Sequence, residues 1–460
     1  MAQKTLTRSL VIVLLLGLAR LFPAFGAGAG NLGTDFWLTF PNSVLNSPFQ
    51  LQLLISSSVN TSGNVQVPGI GFSSPFTVPS GGTVSIPLSA NCFPTVSDGV
   101  TQLGIHVTSL DPVAVTGFNY EPQATDAYLA LPAASEDTGY IVLTYTADLG
   151  GSFPSEFAVC ASQNATSVTI TPSVTVGVRP AGVPYTVNLN QGDVYQLATG
   201  AAGQDLSGTL IASNFPIGVW GGSYCADVPG GYTYCNYLVE QLWPTSMWGT
   251  LFYTVPLATR ANGDNFRFLA SQSGTTVNVN GTAVATLNQG QFFETTLTTL
   301  SQVTANNPIY VMQYSNSSAF DSVVNADPSM ISVPPAVEYA TDYLVSIPVT
   351  GFAGNYENIT APTSEAGLIT LDGAAIPAAS FNPIGATGYS GAAITVTAAS
   401  HHLSGPASFG VIAYGFDNAD AYGYPGGLLL QPATPGTPTN TPTITPTYTV
   451  TNTPTPTPTF

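Results

Sequence analysis

Five acidic residues, Glu121, Asp126, Glu136, Glu240 and Glu338, are the first places to look for chemistry. Glycoside hydrolysis needs little more than two carboxylates flanking a bond, one as general acid and one as base or nucleophile. Glu121 and Asp126 follow a strand-like run, in a loop where such a pair could form. The corresponding loops further along carry Asp227 and Asp321 at unmatched offsets. No acid pair recurs, and solvated loop carboxylates are the simpler reading. Nucleophilic catalysis finds no G-x-S-x-G elbow, and the three histidines are poorly placed to serve as a base. His106 sits inside the apolar run GIHVTS. His401 and His402 are adjacent, so in a strand they face opposite sides and cannot grip one metal ion. The expectation is no catalytic residue and no metal centre.

Oxygen-rich clusters at Asp417-Asn418-Ala419-Asp420 and Asn262-Gly263-Asp264-Asn265 are of the type calcium prefers, which makes a structural calcium ion the one candidate cofactor. Neither follows an EF-hand pattern, and Asx-rich turns arise for backbone reasons alone. The chain has four cysteines, at 92, 160, 225 and 235. Cys225 and Cys235 flank Pro229-Gly230-Gly231, a turn signal that folds the intervening residues back and predicts a disulfide. Around them cluster Trp220, Tyr224, Tyr232, Tyr234, Tyr237 and Trp248, with Glu240 just beyond. Flat, partly polar aromatic faces bury large area with few rotatable bonds and suit a ligand-binding ridge. Tyr224, Tyr232, Tyr234, Tyr237 and Glu240 are the candidate ligand-binding residues. Packing between units is the other reading, preferred for Trp220 and Trp248 and of equal standing for Tyr232 and Tyr234.

The elements that must position these groups are strands. From Asp35 to about Leu430 the chain is a succession of short runs rich in Val, Ile, Thr, Tyr and Phe, broken by Gly, Pro, Asn and Ser. The run DPVAVTGFNY at Asp111 returns as FPIGVWGGSY at Phe215, NPIYVMQYS at Asn307 and GPASFGVIAYGF at Gly405, which places prolines 112, 216, 308 and 406 at intervals of 104, 92 and 98. A second series, TDFWLTFP, TGYIVLTY, GTLFYTVP and TDYLVSIP, keeps the same beat. Leu-Asn-Gln-Gly occurs at 189 and again at 287. A unit of this length suits one small β-sandwich. The fold class expected is therefore all-β: tandem β-sandwich-like repeats of about 100 residues, with units at 30–134, 135–245, 246–337 and 338–430. Modules that exchange strands within one closed assembly, or a propeller-like ring, give the same signal.

At either end the composition changes. Lys4 and Arg8, the apolar run Leu10 to Leu18 and the small residues to Ala29 read as a signal peptide over 1–29. The run is too short for the roughly 20 residues that span a bilayer. Residues 431–460 alternate Thr and Pro, which favours extended structure and supplies no core, so they read as a disordered linker or stalk. The formal net charge is −18, from 24 acids against 6 bases, and three of those bases lie in the leader. Such a chain is expected to be exported, extracellular or attached to a cell surface, with no nucleic-acid partner, because the phosphate backbone would repel it.

The segment from Cys225, CADVPGGYTYCNYLVEQLWPTSMWG, resembles the IgGFc-binding protein N-terminal domain family. Cys225, Val228, Pro229, Cys235, Leu238, Glu240, Gln241, Pro244, Trp248 and Gly249 match its motif. Asn236 and Tyr237 depart from the Asp-His usual there. GIHVTSLDPVAVTGFNYEP and the following YLALPAASEDTGY are also similar to bacterial members. The resemblance implies a secreted or cell-surface, non-enzymatic binding or adhesion protein with an extracellular protein or glycan ligand. It does not imply that antibody is the ligand. A structural sheath built from repeats is the alternative, and a polysaccharide-active hydrolase a distant third.

Overall fold

A computed structural model describes residues 30–43, 50–148, 151–349 and 351–430. The leader and the Thr/Pro segment lie outside the described residues. Strands dominate, grouped into four sheets in chain order, and the single α-helix among the described residues is the short Ser318–Asp321.

Each sheet is organised by one long strand: Ile105–Tyr120, Leu210–Ala226, Ser301–Ser315 and Ser400–Asp417. The repeated proline marks where each long strand changes partners. In the first, Gly33–Leu38 pairs in register from Leu38↔Ile105 to Asp35↔Thr108 and then jumps to Gly33↔Val113, passing over 109–112. The same jump passes over 213–216, 305–308 and 405–408 in the other three. Pro has no N–H to give to a ladder, so it is tolerated where pairing is interrupted. The interruption lets one half of the strand join one layer and the other half a second. In the first unit, the early half pairs with Gly33–Leu38 and Thr61–Val67, the late half with Gln50–Ser57 and Asp126–Leu129. Two layers sharing one bent strand enclose a core, which is how a single repeat buries its apolar faces.

The repeats are not beads on a string. One hydrophobic cluster runs through all four, joining Phe118, Phe157, Tyr310 and Tyr343 among many others. One short strand changes sheets: Gly99–Thr101 pairs with Val194–Ala198 of the second sheet. Turn glycines with positive φ meet backbone of the preceding repeat. Gly192 O accepts from Gly104 N at 2.9 Å, and an added Cβ on Gly208 would lie 2.3 Å from Gly290 O. The last unit returns to the first. Leu428 N donates to Asn31 Oδ1 at 3.1 Å, Gly30 N donates to Leu428 O, and Thr83 Oγ1 bonds Ser346 Oγ at 2.8 Å. The four repeats therefore close into a ring, one of the arrangements left open by the sequence.

Four strands, one from each repeat, pack together at the centre of the ring: Asp126–Leu129, Asn236–Leu242, Ser329–Ser332 and Asp420–Pro425. They share no ladder with one another, so side chains must satisfy the backbone between them. Asp126 accepts from Val239 N and Met330 N at 3.1 Å each and from Gly423 N at 3.3 Å, reaching all three other repeats. Asn236 does the converse, donating from Nδ2 to Thr125 O, Pro328 O and Ala421 O at 2.8, 2.7 and 3.3 Å. Buried polar groups that are fully bonded in this way fix a single register for the elements around them.

All three arginines of the described residues serve the ring. Arg179 pairs with Asp98 of the preceding repeat at 2.9 Å, and Arg260 pairs with Asp321 while lying 5.1 Å from the Phe416 ring of the next. Arg267 bonds Thr144 O at 2.7 Å and Asp205 at 2.8 Å across the junction of the second and third repeats, sandwiched between the rings of Tyr145 and Phe292.

Candidate functional site

The cysteine loop sits at one end of the central axis. Cys225 and Cys235 are disulfide-bonded, with Cα atoms 5.2 Å apart. The loop is stitched to the third repeat by two reciprocal bonds, Val228 N to Ser317 Oγ at 2.9 Å and Ser317 N to Val228 O at 2.7 Å. Tyr232 adds an edge-on contact with Phe320, ring centres 4.8 Å apart. The loop is thus a clamp between two repeats, and its tip remains in solvent: Tyr232 is 44% and Tyr234 60% exposed.

The other candidates on this segment lie elsewhere. Tyr224 is half-buried and stacked beside Phe153, centroids 6.1 Å apart. Tyr237 and Glu240 are fully buried, and the expectation that they face a ligand is corrected. Both belong to the central strand Asn236–Leu242, where every position is enclosed by the neighbouring repeats. Tyr237 donates its hydroxyl to Pro41 O at 2.8 Å, and Glu240 accepts Ser332 N at 2.9 Å. Burial holds the Glu240 carboxyl well above its usual pKa, and Asp126 adds to the rise, against the pull of the Ser332 N–H. Trp220 and Trp248 pack internally, Trp248 lying parallel to Tyr310 at 5.2 Å. The Pro-x-x-x-Trp element is itself a repeated connection. Short 3-10 turns after a proline occur at Ala133–Ser135, Thr245–Met247 and Ala336–Glu338, each leading into the first strand of the next repeat.

The loops that link each long strand to its central strand converge around the clamp. They enclose two adjoining cavities of about 410 and 380 Å³. The larger is mostly apolar, with Ala319, Val323, Val324 and Ala419 in its wall, and the smaller contains Asp227, Thr233 and Asp327. Gln123, Tyr234 and Ala419 line both, so Tyr234 stands between them. Each of the four repeats supplies one non-glycine residue at positive φ to this mouth: Gln123 at 73°, Tyr234 at 78°, Ser322 at 55° and Ala419 at 49°. Such backbone is costly for residues with a Cβ and concentrates where a site is held in a set geometry.

Carboxylates crowd the smaller cavity. Asp227 is pushed up to about 7 by burial and by its hydrogen bond with Asp148. Asp327, 1% exposed, is raised by burial and by Asp420 and Asp227, and its Oδ1 has no hydrogen-bond partner. Asp420 is pushed up to about 7 by burial although it accepts Thr125 N and Oγ1 at 3.0 and 2.9 Å.

The acids first considered for hydrolysis form no pair that opens onto the mouth. Glu121, Asp126, Glu136, Glu240 and Glu338 are all buried, and none lines the mouth. The Asp126 carboxylate is taken up by backbone N–H groups and cannot reach a substrate. Each histidine has a carboxylate partner at the periphery: His106 with Asp35 at 3.0 Å, His401 with Asp372 at 2.8 Å, His402 with Asp342 at 2.8 Å. Among the described residues no group of three acid, histidine or cysteine side chains is placed to hold a metal ion. Of the two clusters considered for calcium, Asp264 accepts Leu257 N and Gln313 Nε2 through Oδ2 alone, and Asp420 accepts Thr125 N and Oγ1 through its two oxygens. Sequence reasoning missed Gln123, Asp227, Asp327 and Asn418-Ala419 as members of one site. The available signal was that they occupy equivalent loops of the four repeats, which a ring must bring together.

No helix among the described residues is long and apolar enough to cross a membrane. The profile of a family described as IgGFc binding protein matches residues 126–415. A human protein named IgGFc-binding protein is 28% identical over 408 residues, 86% of this chain and 7% of that protein, so the chain spans a small part of its relative's length. With the family profile covering well over half of the sequence, and the clamp motif at the mouth of the ring, the chain belongs to the IgGFc-binding protein family.

Proposed function

We propose that the chain is an extracellular, non-enzymatic binding or adhesion protein that recognises a protein or glycan ligand at the mouth of its ring. The observation that carries this reading is the convergence of four loops, one from each repeat, on a pair of cavities divided by the exposed Tyr234. A concave, largely apolar site with a few placed polar groups is what a binding function requires. The acids that hydrolysis would need are buried and line neither cavity, and membership of a family named for binding agrees. The leader-like sequence over 1–29 supports export, and the Thr/Pro segment suits display away from a surface. We take the four units at 30–134, 135–245, 246–337 and 338–430 to act as one body, because a ligand at the axis touches all of them.

Glycan and glycoprotein arrays, immunoglobulin G included, probed with the full chain and with Tyr234→Ala test this. Saturable binding lost in the variant is expected. Absence of any ligand at high micromolar protein, or binding indifferent to Tyr234, would overturn the assignment to the mouth.

A further inference from the structure

The two cavities of the mouth differ in chemistry, and the difference describes a ligand. One side is apolar, with Val324 69% exposed beside Val323, Ala319 and Ala419. The other is lined by Asp227 and Asp327, and the Oδ1 of Asp327 is buried and has no hydrogen-bond partner. A buried carboxylate oxygen without a donor is costly, and the cost is relieved by a ligand that brings one.

The cationic side chains among the described residues are Arg179, Arg260 and Arg267, and each is already paired with a carboxylate. Arg260 bonds Asn316 O and Asp321 through Nη2 and acts on Asp327 as a nearby charge, and its own buried Nε and Nη1 have no hydrogen-bond partner. With 24 acids against 6 bases in the whole sequence, the surface attracts cations and repels acidic or sulfated glycans.

We propose that the mouth takes a segment of a partner protein in which a basic residue lies beside an aliphatic one. The Arg or Lys side chain enters the half lined by Asp227 and Asp327, the aliphatic side chain enters the half lined by Val323, Val324 and Ala419, and Tyr234 lies between them. A guanidinium suits this place because its several donors can meet both carboxylates at once, and an exposed Tyr face attracts it further. This rests on the binding reading above and narrows it to one ligand chemistry. Affinity then depends on pH through Asp227, which faces Asp148, and Asp327, which faces Asp227, Asp420 and Arg260. Protonation of Asp227, pushed up to about 7, removes its attraction, so binding strengthens as pH rises through that value.

Fluorescence anisotropy with the full chain tests it, using labelled octapeptides that carry Arg-Leu, citrulline-Leu or Arg-Ser at their centre. Arg-Leu is expected to bind. Replacing Arg by the neutral citrulline should weaken binding by about tenfold or more, the scale of a lost charged hydrogen bond. Asp327→Asn and the more exposed Asp227→Asn should each lose a similar factor while the thermal unfolding midpoint of Asp227→Asn stays near wild type. Equal binding of the Arg and citrulline peptides, or no effect of either Asp variant, overturns the proposal. Array binding to neutral glycans that needs Tyr234 but not Asp227, with no peptide bound, also overturns it and leaves the broader reading standing. Failure of peptides, glycans and glycoproteins together removes both.

Discussion

Glu357→Gln should reverse part of the pH dependence of stability. Glu357 lies in the strand Gly354–Pro362, fully buried, and neither carboxylate oxygen has a hydrogen-bond partner. Burial pushes its pKa up to about 7, against the pull of His401 and with a contribution from Asp372. In the unfolded chain the same group titrates near its ordinary value of about 4.3. Between those values the folded state keeps a proton that the unfolded state has released, so stability falls as pH rises and levels off above about 7. From pH 5 to pH 7 the loss at about 1.4 kcal/mol per pH unit is roughly 3 kcal/mol. Glutamine cannot ionise, and whatever its amide costs in that enclosed place is the same at every pH and cancels in a difference. Urea denaturation of wild type and Glu357→Gln at pH 5 and pH 8, at constant ionic strength, should show the variant gaining about 2–3 kcal/mol relative to wild type at the higher pH. His401 also titrates, and its bonds to Thr397 O and Asp372 outweigh burial and raise its pKa. The comparison is therefore repeated in a His401→Gln background. Parallel stability profiles for the two proteins across this range would refute the reasoning.

The ring junctions give three more expectations. Arg267→Ala strands Asp205 and Glu294 at the second junction and should cost about 3–5 kcal/mol in denaturant unfolding. Lysine at that position should recover little of it, since it lacks the planar fork that lies between the two rings. Cys225→Ser opens a loop with a sequence separation of 10, worth about 2–3 kcal/mol by chain entropy. Intact-mass mapping under non-reducing conditions should find no free thiol at 225 or 235, while Cys92 and Cys160 are free and buried. Asp126→Asn leaves two of the backbone N–H groups around Asp126 without an acceptor and should lower stability by about 2–4 kcal/mol, so a variant that melts with wild type would count against the central role given to this residue.

Much was legible in the sequence because it is local. Alternation of apolar and polar residues, turn glycines such as Gly192 and Gly290, and the recurring prolines are dictated by backbone sterics within a few residues, and they announced strands and four repeats without reference to the rest of the chain. The Cys225–Cys235 bond was legible for the same reason, since a Pro-Gly-Gly turn brings the arms together. The positions that misled are those whose fate depends on residues a hundred or more places away. Tyr237 and Glu240 look like part of an aromatic, polar ridge, yet the strand that carries them alternates toward neighbouring repeats on both faces. Asp126 looks like a loop acid, yet it accepts N–H groups from Val239, Met330 and Gly423.

The sequence by itself determined the all-β class, the repeat, the disulfide and the family. Closure of the ring belongs to the tertiary structure, and with it which aromatic residues are buried and which four loops share a mouth. The physical reason is that burial between repeats is a property of surfaces meeting. Each repeat leaves one side of its central strand unsatisfied, and only the simultaneous presence of the other three completes its hydrogen bonds and encloses its apolar face.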